Sequence, residues 1–167
     1  MIEGDYIRVE IYGDKTMIRD SWIRLKNLLR EYSVESGAGY RAKRLFKDIG
    51  LAIPLDALAE ALKIKGYKAS LDSEAIYTTA PYDEVVAVAT LIKEALESLK
   101  EIRASRTAKR LIVSAYAVTG LSVYDIITRG IELGLLEEDP EGKILIKKDW
   151  KEALRDLVKV IEGERGA

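Results

Sequence analysis

The chain has 167 residues, 48% of them hydrophobic and 33% charged, a globular composition long enough to bury about 70% of the extended chain's surface. Residues 1–100 carry 15 Lys/Arg against 16 Asp/Glu and residues 101–167 carry 12 against 12, so bulk charge draws the protein to neither nucleic acid nor membrane and any such binding must come from a local patch. Cys and His are both absent, which excludes disulfides, thiolate chemistry and the usual transition-metal ligands, and predicts no metal or redox cofactor.

In chain order, Tyr6–Tyr12 alternates, with Ile7, Val9 and Ile11 opposite Arg8 and Glu10, as a half-buried strand does. Gly13 ends it, and Asp14 caps a helix to about Tyr32 with Ile18, Trp22, Leu25 and Leu29 on one stripe. Residues 33–39 read as a loop, and Tyr40–Lys47 as a short basic helix broken by Asp48-Ile49-Gly50. Pro54 opens another short helix with Leu55, Leu58 and Leu62 inward, closed at Gly66. Tyr67–Leu71 and Ile76–Thr79 form a strand pair turned by Asp72-Ser73-Glu74. Asp83 caps a long helix carrying Val85, Val88, Ile92, Ala95 and Leu99.

No Gly or Pro lies between Asp83 and Thr119, yet the apolar stripe lapses at 102–107, where Ser105 or Thr107 can cap a new helix. That helix runs to Val118; Thr119-Gly120-Leu121 turns, and Ser122 caps the next, to about Leu133. Leu135–Glu138 and Lys143–Lys147 flank Asp139-Pro140-Glu141-Gly142 as a hairpin. Asp149 and Glu152 form a capping box for a last helix with Trp150, Leu154, Leu157 and Ile161 inward, fraying after Gly163.

The expected fold is therefore α+β: a β-α-α-β-β-α unit over residues 1–102, a mostly helical unit over 103–163, and a short tail at 164–167. No apolar stretch reaches the roughly 20 residues of a membrane span, and the N-terminus lacks a signal-peptide pattern, so a cytoplasmic protein with no membrane contact is expected. Gln is absent and Asn27 is the one Asn, a depletion of thermolabile residues that predicts a thermophilic, archaeal source.

Two basic patches stand out. Gly37 and Gly39 precede Arg41, Lys43, Arg44 and Lys47; glycines let backbone amides approach a phosphate, and the cations add attraction. The order of elements resembles the K-homology RNA-binding module, in which a glycine loop between the first two helices clamps the nucleic-acid backbone. The loop here lacks that module's glycine-two residues-glycine signature, and the long first helix and an extra helical segment also depart from it. The second patch, Arg103, Arg106 and Arg110 with Lys109 alongside, places its arginines at i, i+3 and i+7, and residues 102–110 contain no acid. Both patches are candidate phosphate contacts for RNA or single strands.

Residues 105–150 resemble the second half of a winged helix-turn-helix domain, with the helix after Ser122 as reader and the hairpin at Pro140 as wing. That reader offers Tyr124, Asp125, Thr128, Arg129 and Glu132, and five acids lie between Glu132 and Glu141 with no cation among them. Such a surface repels phosphates, so a protein contact, or a second copy meeting the acidic hairpin with its arginines, is the alternative expectation. Glu137, Glu138, Asp139 and Glu141 lack the spacing of a calcium loop, and no Walker-type phosphate loop, dinucleotide fingerprint or nucleophile elbow occurs, so no catalytic residue is assigned. Finally, Ile53-Pro54-Leu55-Asp56-Ala57-Leu58, Lys65-Gly66-Tyr67 and Thr78-Thr79-Ala80-Pro81-Tyr82-Asp83-Glu84-Val85 resemble a set of conserved archaeal proteins of unknown function, which implies an archaeal origin and supplies no activity.

Overall fold

The computed structural model describes residues 2–3, 6–7, 9–33 and 38–166, with side chains for 9–26 and 39–166. Arg8 and the predicted loop residues 34–37, including Gly37, lie outside the described residues. The protein is α+β, and the chain divides into two compact units, Met1–Glu35 and Ser36–Ala167.

In the first unit β1 (Ile2–Glu3) pairs antiparallel with β2 (Tyr6–Ile7), and α1 spans Lys15–Ser33. The predicted strand through Tyr12 is cut short: Val9–Tyr12 has no regular structure, and Val9 and Tyr12 are exposed, so alternation there finds no face to bury. Asp14 caps α1 as expected, its Oδ1 accepting from the Thr16 and Met17 amides at 3.0 and 2.9 Å.

The second unit opens with β3 (Ala38–Arg41), where a loop and a helix start were expected. The reason is partnering: β3 pairs antiparallel with β5 (Ala75–Thr78), setting Gly39 opposite Tyr77 and Tyr40 opposite Ile76. A Cβ on Gly39 would lie 2.6 Å from the Tyr77 ring, so this glycine serves close strand packing. The basic helix α2 therefore starts later, at Ala42–Ile49, and buries Ala42, Leu45 and Ile49. Gly50, at φ +78°, closes it in a left-handed cap that L side chains rarely adopt.

α3 (Leu55–Ile64) follows Pro54, and β4 (Ala69–Leu71) completes an antiparallel sheet in the order β3-β5-β4. Asp72 builds the predicted turn, its Oδ1 accepting from the amides of Glu74 and Ala75 at 2.8 Å each. α4 (Tyr82–Ser98) has Pro81 at its N-cap position with no side-chain cap, and Asp83, expected as the cap, sits in the first turn. The break expected before Thr107 is present: α5 (Arg106–Thr119) starts at Ser105, whose hydroxyl accepts from the Ala108 amide. The expected unit boundary at 102/103 falls in this α4–α5 connection, inside the second compact unit, where α4 packs on α5.

The chain then bends by 113° into α6 (Val123–Glu132), capped by Ser122. β6 (Leu136–Glu138) and β7 (Ile144–Ile146) form the predicted hairpin, and Ala104 bridges to Ile144. α7 (Trp150–Arg165) is capped by Asp149, which accepts from the Lys151 and Glu152 amides at 3.1 Å each. It does not fray at Gly163, because Glu164 pairs with Arg129 of α6.

One core runs through the second unit. α5 lies at its centre, packed by α3, α4, α6 and α7, with Leu111, Ile112, Val113, Ser114 and Ala115 buried in succession. Among the described residues no single helix is long and apolar enough to cross a membrane.

Gly130, inside α6, shows how tightly the hairpin is set. A Cβ there would lie 2.6 Å from Cδ1 and 2.9 Å from Cγ of Leu136, which is 1% exposed. In an exposed helix Gly→Ala stabilises by about 1 kcal/mol. Overpacking a closed contact costs about 1–3 kcal/mol. Gly130→Ala is therefore expected to lower stability by about 1 kcal/mol in denaturant titration; a gain in stability would contradict this packing.

Candidate nucleic-acid interface

The face of α2 is built by its periodicity. With Ala42, Leu45 and Ile49 turned into the core, Lys43, Arg44, Lys47 and Asp48 must point outward, and all four are exposed. Arg41, at the N-cap, is exposed beside them. Arg41, Lys43 and Lys47 have no carboxylate within ion-pair distance among the described residues. Arg44 Nε is 3.8 Å from Asp48 Oδ2, at the limit of an ion pair.

This cationic face borders aromatic rings. The guanidinium of Arg44 lies over the Tyr82 ring, 4.9 Å from its centroid. Tyr82 in turn packs against Tyr40 at 5.0 Å, and the Tyr40 hydroxyl donates to the Ala80 carbonyl at 3.2 Å. The Tyr82 hydroxyl donates to Asp48. Partial desolvation first, then this hydrogen bond and the charge of Asp48, hold the Tyr82 phenol above its ordinary pKa, with Arg44 pulling the other way. At neutral pH Tyr82 is thus a neutral ring beside a cation. From α4, Lys93 Nζ reaches the Ile49 carbonyl at 2.9 Å, adding a cation at the C-terminus of α2.

The second patch is divided. Arg110, 18% exposed, sits with Nε 2.6 Å from Asp56 Oδ2 on α3. That nitrogen is buried and makes no directed hydrogen bond, so the contact is an ionic brace between α5 and α3. Arg103 leans on the hairpin: Nη1 donates to the Glu141 carbonyl at 3.4 Å, and Nη2 is 3.8 Å from the Glu141 carboxylate. Arg106 and Lys109 are exposed and without an ion-pair partner among the described residues. The three arginines do not form one open ridge.

The α5–α6 pair and the hairpin after it have their own chemistry. Arg129, the one cation in the α6 sequence, is held by Glu132 at 3.1 Å and by Glu164. Those two hydrogen bonds, Glu164 before Glu132, raise its pKa further. The outer side of α6 exposes Tyr124 (65%) and Ile131 (40%), with Ile127 half-buried between them. In the β6–β7 hairpin, Glu137 is 3.7 Å from Lys147, and Asp139 is occupied in its own turn, accepting from the Glu141 and Lys143 amides at 2.9 and 2.8 Å.

Reading the sequence alone missed a fourth constellation. Glu60 of α3, 2% exposed, draws in Lys63 at 2.9 Å, Arg155 at 3.4 Å and Lys151 at 3.8 Å. The i, i+3 step from Glu60 to Lys63 and the i, i+4 step from Lys151 to Arg155 were visible signals, but nothing in the sequence joins α3 to α7.

Residues 1–155 match a family described as uncharacterised proteins conserved in archaea (DUF2067), and the chain belongs to that family. That bears out the resemblance carried by the residues around Pro54, Gly66 and Pro81. No curated protein and no solved structure matches the chain.

The structure separates a brace from an open cation, and stability reads the difference. Arg110→Ala is expected to cost roughly 1–2 kcal/mol, between the values for exposed and buried pairs. Arg106→Ala is expected to stay within about 0.5 kcal/mol of the parent. Equal effects in thermal melts would show that Arg110 is no brace.

Proposed function

We propose that this protein is a non-catalytic nucleic-acid-binding protein that holds RNA or single strands by their phosphates, through the cationic face of α2. The observation that carries the reading is the set Arg41, Lys43 and Lys47, exposed and without carboxylate partners among the described residues, beside Arg44 and the Tyr40–Tyr82 pair. Cations without partners can exchange counterions for phosphates, while paired ones must first give up a carboxylate. Ring faces next to such cations take unstacked bases, which favours single strands and RNA loops over duplex DNA.

Element order gives further support. β3-α2-α3-β4-β5-α4 repeats the β-α-α-β-β-α order of the K-homology module over residues 38–98, beginning at β3 rather than at the strand predicted from Tyr6, with an antiparallel sheet throughout. Between its two helices lies Gly50-Leu51-Ala52-Ile53-Pro54, with a single glycine. Side-chain cations then carry the contact that a second glycine's backbone would otherwise share. The protein's place of action is the cytoplasm, and the composition suits a hot habitat.

A second reading rests on Arg129. With that cation held by Glu132 and Glu164, α6 presents Tyr124, Ile127 and Ile131 rather than donors for base edges, and in this reading the winged-helix-like part contacts protein.

The test is a gel-shift and fluorescence-anisotropy series on the full chain with a single-stranded RNA. Binding is expected to weaken with added salt, and the Lys43→Glu/Lys47→Glu pair to lower affinity about tenfold or more, with a smaller loss for Arg106→Glu. Tyr124→Glu should leave RNA affinity unchanged and alter light scattering if α6 docks a second copy. Affinity that ignores both salt and the α2 charge reversals would overturn the nucleic-acid reading.

A further inference from the structure

A second, independent feature lies between α3, β4 and α7. There Asp56, Glu60, Lys63, Ser70, Leu71 and Lys151 line a cleft of about 180 Å³. We propose that this cleft is a binding site for a phosphomonoester dianion, held by Lys63 and Lys151, with Arg155 beside them on Glu60. The inference does not depend on the nucleic-acid reading of α2.

Its basis is an imbalance of charge around a buried acid. The Glu60 side chain is 3% exposed, and a carboxylate so desolvated requires compensation. One cation suffices for that, and Lys63 supplies it directly, donating to Oε1 at 2.9 Å. Lys151 and Arg155 nevertheless also point at Glu60, one helical turn apart on α7. The other acid of the cleft, Asp56, is already met by Arg110 at 2.6 Å. Among the described residues the two acids thus face Lys63, Lys151, Arg155 and Arg110, an excess of two positive charges.

That excess is accessible. The side chains of Lys63, Lys151 and Arg155 are 44%, 45% and 62% exposed, so each has donors left over from Glu60. Glu60 works as the positioning residue: it holds the ammonium groups of two elements at one point before a ligand arrives, which lowers the entropy cost of binding. The exposed Ser70 adds a neutral hydroxyl from β4, the outer strand of its sheet. Size sets the ligand class. Drug-sized pockets run to about 300–1,000 Å³. A cleft of 180 Å³ takes a compact group, and two units of positive charge match a phosphomonoester rather than a carboxylate or a diester.

Such a dianion can come from a small metabolite or from the end of a nucleic-acid strand. The experiment is an NMR titration of the isotope-labelled full chain with inorganic phosphate, against chloride at matched ionic strength. It is followed by the same strand carrying either a 5′-phosphate or a 5′-hydroxyl. Saturable phosphate shifts are expected at residues 59–63, 70–71 and 151–155. Lys63→Ala and Lys151→Ala should each weaken binding at least about fivefold, and Lys100→Ala, at an exposed lysine on no proposed surface, should not, with all three variants melting as cooperatively as the parent. Tighter binding of the 5′-phosphorylated strand, lost in the Lys63 and Lys151 variants, supports the site and assigns it to strand ends. Equal binding of the two strands, with phosphate shifts intact, supports it and assigns it to small phosphate esters. Shifts that chloride reproduces, or phosphate binding unchanged in both lysine variants, would overturn the site and reduce Glu60 to a clamp between α3 and α7.

Discussion

Burial of α5 is the constraint on which the second unit depends. Ala108, Leu111, Ile112, Val113, Ser114, Ala115, Ala117 and Thr119 are all buried, so this helix has little face left for solvent. Removing a side chain the size of Leu, Ile or Val from water stabilises by about 1.5–3 kcal/mol. Leu111, Ile112 and Val113 together thus match a large part of a domain's net stability of about 5–15 kcal/mol. The small residues Ala108, Ser114, Ala115 and Ala117 flank them in the buried surface of α5. Ser114 is the sharpest case: its hydroxyl, fully buried, donates to the Ala57 carbonyl at 3.1 Å and ties α5 to α3. Because α3, α4, α6 and α7 all pack on α5, the sheet and the α5–α6 pair share one core.

That shared core explains the distribution of charge. Among the chain's 27 cations and 28 acids, several form braces between elements. Arg110 joins α5 to α3, Lys151 and Arg155 join α7 to α3, and Arg129 joins α6 to α7. On the α2 face Arg41, Lys43 and Lys47 form no such brace among the described residues. Its cations lie on a short helix that meets the core through Ala42, Leu45 and Ile49, leaving the opposite side with Asp48 as its one acid. The contrast between braced and unbraced cations, more than their number, is what recommends α2 as a surface for phosphates.

Much of the second unit was legible because its signals are local. Ser105, Ser122 and Asp149 cap helices where their positions in the chain say they should, and Asp139-Pro140-Glu141-Gly142 turns the hairpin it spells. The misreadings arose where a distant partner overrides a local pattern. Gly39 and Tyr40 look like loop and helix start until β5 is known to lie alongside. Arg110 continues an i, i+3, i+7 ridge on paper, but Asp56, far away in the sequence, claims it. No local pattern marks Glu60, because its partners Lys151 and Arg155 lie on the last helix. At the N-terminus the alternation of Val9 and Ile11 was a true pattern that no pairing strand completes among the described residues.

The account turns on where a strand of nucleic acid would lie. Chemical-shift mapping of the full chain during titration with a single-stranded RNA tests this most directly. Perturbations should cluster at Tyr40, Arg41, Lys43, Arg44, Lys47 and Tyr82 and fade as salt is raised. Perturbations centred on Tyr124, Thr128 and Ile131 of α6, with the α2 face silent, would contradict it.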